Sequence, residues 1–532
     1  MKRTLLLISI IFTTAVNAQD TLWTRCYGGS ADEAAGFGVG TSGSPYVSMV
    51  SDSEGFIYIA TYTASTDGMI NNSSGFDDLF VLKLDENGDT VWTRTIGGEG
   101  NDRALAMELL SDGNLLIAGK SGSTTGVFSQ NKGGDDGFIL KMSPDGQTLW
   151  LKNFGGTLVD CLFGIKEIPN GAGDIMTYGI SGSIDGDINN SNFVGSNKAW
   201  LMRLTSAGNL VWSRITNGLI NNPDWEESFN AAAFSESGNE IVLLGSTYNF
   251  NDINSDDLFV CKYDLAGNQS YKRSYGGTAG DSPIGISRLS GGDYLIGAVI
   301  RGGGGNVSAF LGGGADQWLL RITDAGTIVW NRNYGGTNLD YMYGFYLTSE
   351  GALQVGSSRS TDNTASRAGF GGLDCWVVQT NVETGDTIRT MRWGSTLNEH
   401  AHAAAFRTAT EMCVAGRSVG NDGFVHGNFG ASDVYVSLFQ TATPTLLENT
   451  QNSGGKPILF PNPSDGQINI AGTALGLGGM NYHIYDVTGK LVQSGSFAAG
   501  TVLADLTVNN SGIYLMRIFN SQTQSSQLFV IR

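Results

Sequence analysis

WNRNYGGTNLD, residues 330–340, is one of seven copies of a single phrase in this chain of 532 residues: a strand led by an aromatic residue in six copies, a pair of glycines in five, then an acid. Placing Trp23, Trp92, Trp150, Trp212, Tyr271, Trp330 and Arg389 at the first position gives intervals of 69, 58, 62, 59, 59 and 59 residues. A period this regular marks one supersecondary unit copied along the chain.

Each unit reads as four strands. In the second, WTRTIGG (92–98) is followed by ALAMELLSDG (104–113), NLLIAGKSGS (114–123), a glycine-rich loop and DDGFILKMSPDG (135–146). Trp92, Arg94 and Ile96 share one strand face because side chains two apart do so. Asp112-Gly113 and Asp145-Gly146 are tight-turn pairs that close hairpins. A four-stranded sheet cannot bury both faces alone, so the units must stack, as an open β-array or radially as blades. The array begins with a lone strand, LWTRCYGG (22–29), and ends at ASDVYVSLF (431–439) with no partner strand after it. Pairing these two completes a seventh unit. The expected fold is all-β: a seven-bladed β-propeller closed by the N-terminal strand over 19–440, followed by a linker (441–455) and a small Ig-like β-sandwich (456–532), with the open array as the alternative.

Composition is consistent with this reading and bounds function. Only 15% of residues are charged, 76 are Gly, and the formal net charge is −19. An acidic chain is a poor surface for nucleic acid or anionic lipid. Lys2 and Arg3, an apolar run from Leu5 to Ala15 and the small-residue stretch Val16-Asn17-Ala18 read as a secretory signal peptide over 1–18. No later stretch has the length of a membrane span. Five scattered cysteines do not make a disulfide framework and read as isolated buried thiols.

Two acidic positions recur. The first follows the glycine pair, at Asp32, Asp102, Asp160, Asp281, Asp340 and Glu399; the fourth unit departs from it with NNPDWEE (221–227). The second opens the third strand, at Asp78, Asp136, Asp257, Asp316, Asp374 and Asp433, with Lys198 as the exception. A site used once does not need six copies of its residue, so both positions are expected to hold the scaffold, through turn hydrogen bonds or a cation. Residues that break the repeat are the better functional candidates. Asp185, Asp187 and Asn189 have the alternate spacing of a calcium loop, although no full EF-hand pattern is present. His400, His402 and His426 are candidates for a transition-metal site. No cofactor is required by any motif, and neither a Gly-x-Ser-x-Gly elbow nor a phosphate-binding glycine loop occurs.

At the carboxyl end, Pro461-Asn462-Pro463, then Tyr485-Asp486-Val487-Thr488-Gly489-Lys490, then Gly512-Ile513-Tyr514 follow in order. This segment resembles the type A C-terminal sorting domain of the type IX secretion system of Bacteroidetes-type bacteria, with Ser511 where a proline often stands. The resemblance implies export across the outer membrane, partnership with the secretion machinery and its sortase-like peptidase, and a cell-surface or extracellular location. The repeats likewise resemble propeller-like repeats of surface proteins from such bacteria. The expected function is a non-enzymatic binding or adhesion module whose variable loops meet a glycan or a surface protein. The alternatives are a carbohydrate-active hydrolase or lyase with an acidic site at the propeller mouth, and a structural component of the cell surface.

Overall fold

The computed structural model describes residues 21–34, 47–169, 171–188, 197–216, 225–249, 252–366, 369–408, 410–425 and 427–440 in a first compact unit, and 458–460, 467–471, 481–486, 490–496, 503–507, 512–519 and 524–531 in a second. The signal peptide and linker expected from the sequence lie outside these residues.

In the first unit the described strands form seven four-stranded antiparallel sheets. Sheet 2 is typical: Asp102–Leu109, Leu115–Ser121, Asp136–Met142 and Thr148–Phe154, paired in chain order. Its hairpins turn at Gly113 (φ +79°) and Gly146 (φ +76°), a backbone region that glycine enters without Cβ strain. Sheets 1 and 3 to 6 repeat this order over 48–96, 160–215, 225–275, 282–334 and 340–393. Sheet 7 takes three strands from 399–440 and its fourth from Thr21–Tyr27. That strand runs antiparallel to Asp433–Gln440, with Trp23 opposite Leu438 and Cys26 opposite Tyr435.

Burial follows position in the sheet. The second and third strands are buried along almost their whole length, as in Leu115–Ser121 and Asp136–Met142, because both faces are covered. Most outer strands start exposed, as at Thr148 and Leu149, and the other two, Thr21–Tyr27 and Ile328–Tyr334, start half-buried with the next residue exposed. The apolar clusters lie between sheets: Tyr58 and Val81 of sheet 1 pack with Ile117 and Phe138 of sheet 2. The series continues to a cluster that joins Cys413 and Val436 of sheet 7 to Ile59 and Phe80 of sheet 1. The first strands of successive sheets touch in order, and Glu399–Thr408 of sheet 7 touches Ser48–Ser51 of sheet 1.

The second unit has a three-stranded sheet (Ile458–Phe460, Gln467–Ala471, Leu503–Thr507) and a four-stranded one ordered Leu491–Ser496, Asn481–Asp486, Gly512–Phe519, Gln524–Ile531.

Candidate functional site

The repeated phrase is a clamp between neighbouring sheets. Its aromatic indole reaches the outer hairpin of the next sheet: Trp92 Nε1 donates to Pro144 O at 3.1 Å and Trp212 Nε1 to Leu265 O at 3.0 Å. Two residues on, Arg94 Nε donates to Gly146 O at 2.9 Å and Arg273 Nε to Ala325 O at 2.9 Å. Two further on, the hydroxyls of Tyr275 and Tyr334 donate to Gly326 O (2.7 Å) and Gly385 O (2.6 Å). The N-terminal strand does the same to sheet 1, with Trp23 Nε1 on Glu86 O at 3.2 Å and Tyr27 Oη on Gly88 O at 2.7 Å.

The acid after the glycine pair ties the corner where one sheet passes to the next. Asp160 accepts from Gly156 N at 2.8 Å, Ser181 Oγ at 2.5 Å and Ser183 Oγ at 2.7 Å. Asp102 accepts from Gly98 N, Ser121 and Ser123, and Glu399 from Ser395 and Ser418. Two assignments from the sequence need correction. In the first unit Glu33, not Asp32, fills the corner: it accepts from Gly29 N at 3.2 Å and Thr63 Oγ1 at 2.6 Å, with the four-residue step seen elsewhere. The fourth unit does not lack the acid either, since the buried Glu227 accepts from Thr216 Oγ1 at 2.6 Å and Lys272 Nζ at 2.7 Å. The serine partners were missed, although Ser121-Gly122-Ser123, Ser181-Gly182-Ser183 and Ser358-Arg359-Ser360 repeat visibly in the sequence.

The calcium candidates belong to another repeated device. Asp185 Oδ1 accepts from Thr157 N at 2.9 Å, as Asp67 does from Ser30 N (2.7 Å), Asp362 from Thr337 N (2.9 Å) and Asp422 from Thr396 N (2.8 Å). Each aspartate precedes a residue at positive φ: Gly186, Gly68, Asn363 and Gly423. Asp187 accepts from Gly155 N at 3.0 Å and pairs with Lys132. Their oxygens thus have protein partners, and Asn189 lies outside the described residues.

His400 and His402 do come together, rings stacked with centroids 6.2 Å apart. His400 Nδ1 meets Tyr343 Oη at 3.1 Å and Ser357 Oγ at 3.2 Å, and the Tyr343 ring lies edge-on to His402 at 4.9 Å. Burial, reinforced by Arg417, lowers His400 to about 4 and pulls His402 well below the usual imidazole range, so both are neutral at physiological pH. His426 lies outside the described residues, and among those described no group of three His, Cys, Asp or Glu side chains is placed to hold a metal. All five cysteines are free and buried, with burial raising Cys26, Cys161, Cys261 and Cys413 to about 12.

What the repeat does not account for is a set of exposed rings. Phe370, in the loop between the second and third strands of sheet 6, is 43% exposed; Phe424 and Phe429, in the same loop of sheet 7, are 42% and 61% exposed; Phe76, in that loop of sheet 1, is 71% exposed. Phe370 and Phe424 meet edge to face at 5.4 Å. Sheets 6, 7 and 1 are consecutive in the order of contact, and Asp362, Asp422 and Asp67 pin the loops that carry the rings.

In the second unit, Tyr485, Asp486, Gly512 and Tyr514 lie on paired strands, with Asp486 opposite Tyr514 and Asp486 N donating to Lys490 O at 3.0 Å. Pro461, Asn462, Pro463 and Gly489 lie outside the described residues. Comparison with known families matches residues 458–532. This segment is a secretion system C-terminal sorting domain. The sorting domain marks the chain for the type IX secretion machinery and for export across the outer membrane, to the cell surface or the extracellular space. No helix among the described residues is long and apolar enough to cross a membrane. Over 323 residues the chain is 24% identical to regulatory protein FlaEY of Caulobacter vibrioides, covering 59% of this chain and 29% of that protein, so it spans less than a third of that relative's length. Among solved structures, the α-L-arabinofuranosidase Arb93A of Fusarium graminearum superposes with a TM-score of 0.38 at 9% identity, covering 78% of this chain and 98% of that one. The periplasmic gluconolactonase PpgL of Pseudomonas aeruginosa gives 0.37 at 11%, covering 65% and 84%. Scores this low carry no functional argument.

Proposed function

We propose that the seven sheets are the blades of one closed propeller, and that this propeller is a non-enzymatic binding module delivered to the cell surface or medium by its sorting domain. The observation that carries the reading is the row of exposed phenylalanines on three consecutive sheets. Exposed apolar groups in contact, as Phe370 and Phe424 are, mark interaction sites, and the four rings sit on loops whose aspartates fix them before a partner arrives, which reduces the ordering cost of binding. The repeated acids, by contrast, are engaged in holding corners. A glycan or a surface protein is the partner class that suits flat exposed rings beside hydroxyl and carboxylate groups.

The mature protein, labelled and applied to a polysaccharide array and to whole cells, tests this. Binding is expected, and Phe370→Ala with Phe424→Ala is expected to weaken it by about tenfold or more, the loss of roughly 1.4 kcal/mol, with the melting temperature unchanged. Polysaccharide turnover that disappears on changing one acid would instead assign a hydrolase or lyase.

A further inference from the structure

The two repeated acids meet at the blade junctions, and the first glycine of each pair is the space they share. A Cβ added at Gly335 would lie 2.6 Å from both Asp316 Oδ1 and Asp340 Oδ2. At Gly276 it would lie 2.8 Å from Asp257 Oδ1 and 2.7 Å from Asp281 Oδ2. Gly155 stands in the same way between Asp136 and Asp160, Gly394 between Asp374 and Glu399, and Gly28 between Asp433 and Glu33. In four of the five pairs the strand-three acid uses one oxygen on a backbone amide: Lys132 N donates to Asp136 at 2.8 Å, Leu311 N to Asp316 at 2.6 Å, Phe370 N to Asp374 at 3.0 Å and Phe429 N to Asp433 at 2.6 Å. The other oxygen, Oδ1 of Asp136, Asp316, Asp374 and Asp433, is buried with no hydrogen-bond partner and borders the same space beside the glycine that the second acid borders. Buried acceptors left without a donor are costly, and two adjacent carboxylates cannot both ionise in such a place.

We propose that the pairs without a cation partner, Asp316 with Asp340, Asp433 with Glu33 and Asp136 with Asp160, each hold a proton between their two members, so that these blade junctions are latched by protons and loosen as the pH rises. The proton supplies the missing donor: a neutral carboxyl bonds the orphan oxygen to its neighbour. The latch is independent of which ligand the loops bind. Asp433 and Glu33 are the most telling pair, because they join the last strand of the repeat to the segment that follows the N-terminal strand. The titratable groups facing this pair are one another and the Cys26 thiol. Asp316 and Asp340 face each other, and Arg392, which bears on Asp340, is engaged by Asp374 at 2.9 Å. No cation among the described residues pairs directly with either Asp433 or Asp316. Burial first, and the neighbouring carboxyl after it, raises Asp316 and Asp433 to about 7 and Asp136 to about 6. Sheet 3 breaks the pattern: it has Lys198 at the strand-three position, buried ahead of Glu227, so a cation takes the place of one acid.

An unfolded aspartate ionises near 3.8, so between that value and about 7 the folded chain holds protons that the unfolded chain has released. The stabilisation is therefore fully present below the unfolded value and is lost as pH rises through about 7. Thermal unfolding of the full mature chain at about pH 5.5 and about pH 8.5, with EDTA or with calcium, tests the proposal. The melting temperature is expected to fall by several degrees at the higher pH, with no response to either addition. Asp316→Asn and Asp433→Asn supply a permanent donor in the same shape, so each should melt higher than the parent at the alkaline pH and show a shallower pH slope. Glu54→Gln, which changes the net charge by the same amount at an exposed position, should leave the slope unchanged. Two results would overturn the latch: asparagine variants that lower the melting temperature equally at both pH values, or calcium that restores stability at pH 8.5 and is reversed by EDTA, which would put a metal ion where the proton is placed. Should the variants fail to fold, the parent protein still decides: the infrared carbonyl band of a protonated carboxyl must be present near pH 7, and its absence there refutes the proposal.

Discussion

Asp160 and Asp185 show how two similar aspartates in one unit carry different weight. Asp160 is fully buried and accepts four hydrogen bonds, from the amides of Gly156 and Ser183 and the hydroxyls of Ser181 and Ser183, whereas Asp185 holds Thr157 at the solvent end of the corner. Replacing Asp160 with alanine strands two buried serine hydroxyls and a backbone amide and should cost about 3 kcal/mol, while Asp185→Ala should cost about 1 kcal/mol. Urea unfolding of the two variants checks this, and equal losses would contradict the assignment of roles. The sequence revealed that acids recur after the glycines, but not which residue fills every corner. Asp32 stands beside Glu33 and competes for the same place. The four-residue step from the second glycine, shared by Asp102, Asp160, Asp281 and Asp340, is nevertheless legible in the sequence and points to Glu33, while Glu227 is masked by the longer segment before it. The alternate spacing of Asp185 and Asp187 is that of a calcium loop, and the hydrogen bonds of Asp67, Asp362 and Asp422 place Asp185 in a repeated series of loop aspartates that bind a backbone amide.

At the scale of the strand, the repeated phrase acts between sheets and not within its own. Indoles, arginines and tyrosine hydroxyls of the outer strands donate to backbone carbonyls of the next hairpin, two in a strand, as with Trp23 and Tyr27, Trp92 and Arg94, or Arg273 and Tyr275. The hairpin glycine at positive φ leaves room for the indole: a Cβ added at Gly208 (φ +72°) would lie 3.0 Å from the Trp150 ring. Tyr334→Phe removes one hydrogen bond to Gly385 and should lower stability by about 1 kcal/mol, read as a shift in the urea midpoint with the slope unchanged. Strand number, hairpin positions and the face shared by Trp92, Arg94 and Ile96 were legible because strand periodicity and Asp-Gly turns are local signals. The carbonyl targets of the phrase were not, since they lie 51 to 63 residues away in the next unit. The exposed phenylalanines are not legible in the sequence for a related reason: nothing in a loop sequence tells whether Phe370 faces the core or solvent, and the buried Phe128 occupies a comparable loop in sheet 2.

For the molecule as a whole, two claims follow from how the ends of the chain are used. The sorting domain is separable from the repeats as a compact unit, so removing residues 458–532 should leave the propeller folded and trapped in the periplasm, as cell fractionation would show; undiminished surface display would contradict the export route. The N-terminal strand, in contrast, is shared between the two ends of the repeat: it pairs with Asp433–Gln440, clamps the hairpin of sheet 1, and leads to Glu33 at the latch with Asp433. A ring closed this way should unfold as one cooperative body, because breaking one junction exposes the apolar faces of two sheets. An open array missing the same strand would lose only its terminal unit. The most direct test is calorimetry of the secreted protein with and without residues 19–30. The closed ring predicts a single transition that shifts well down in temperature when the strand is removed, and an unchanged melting temperature would contradict closure.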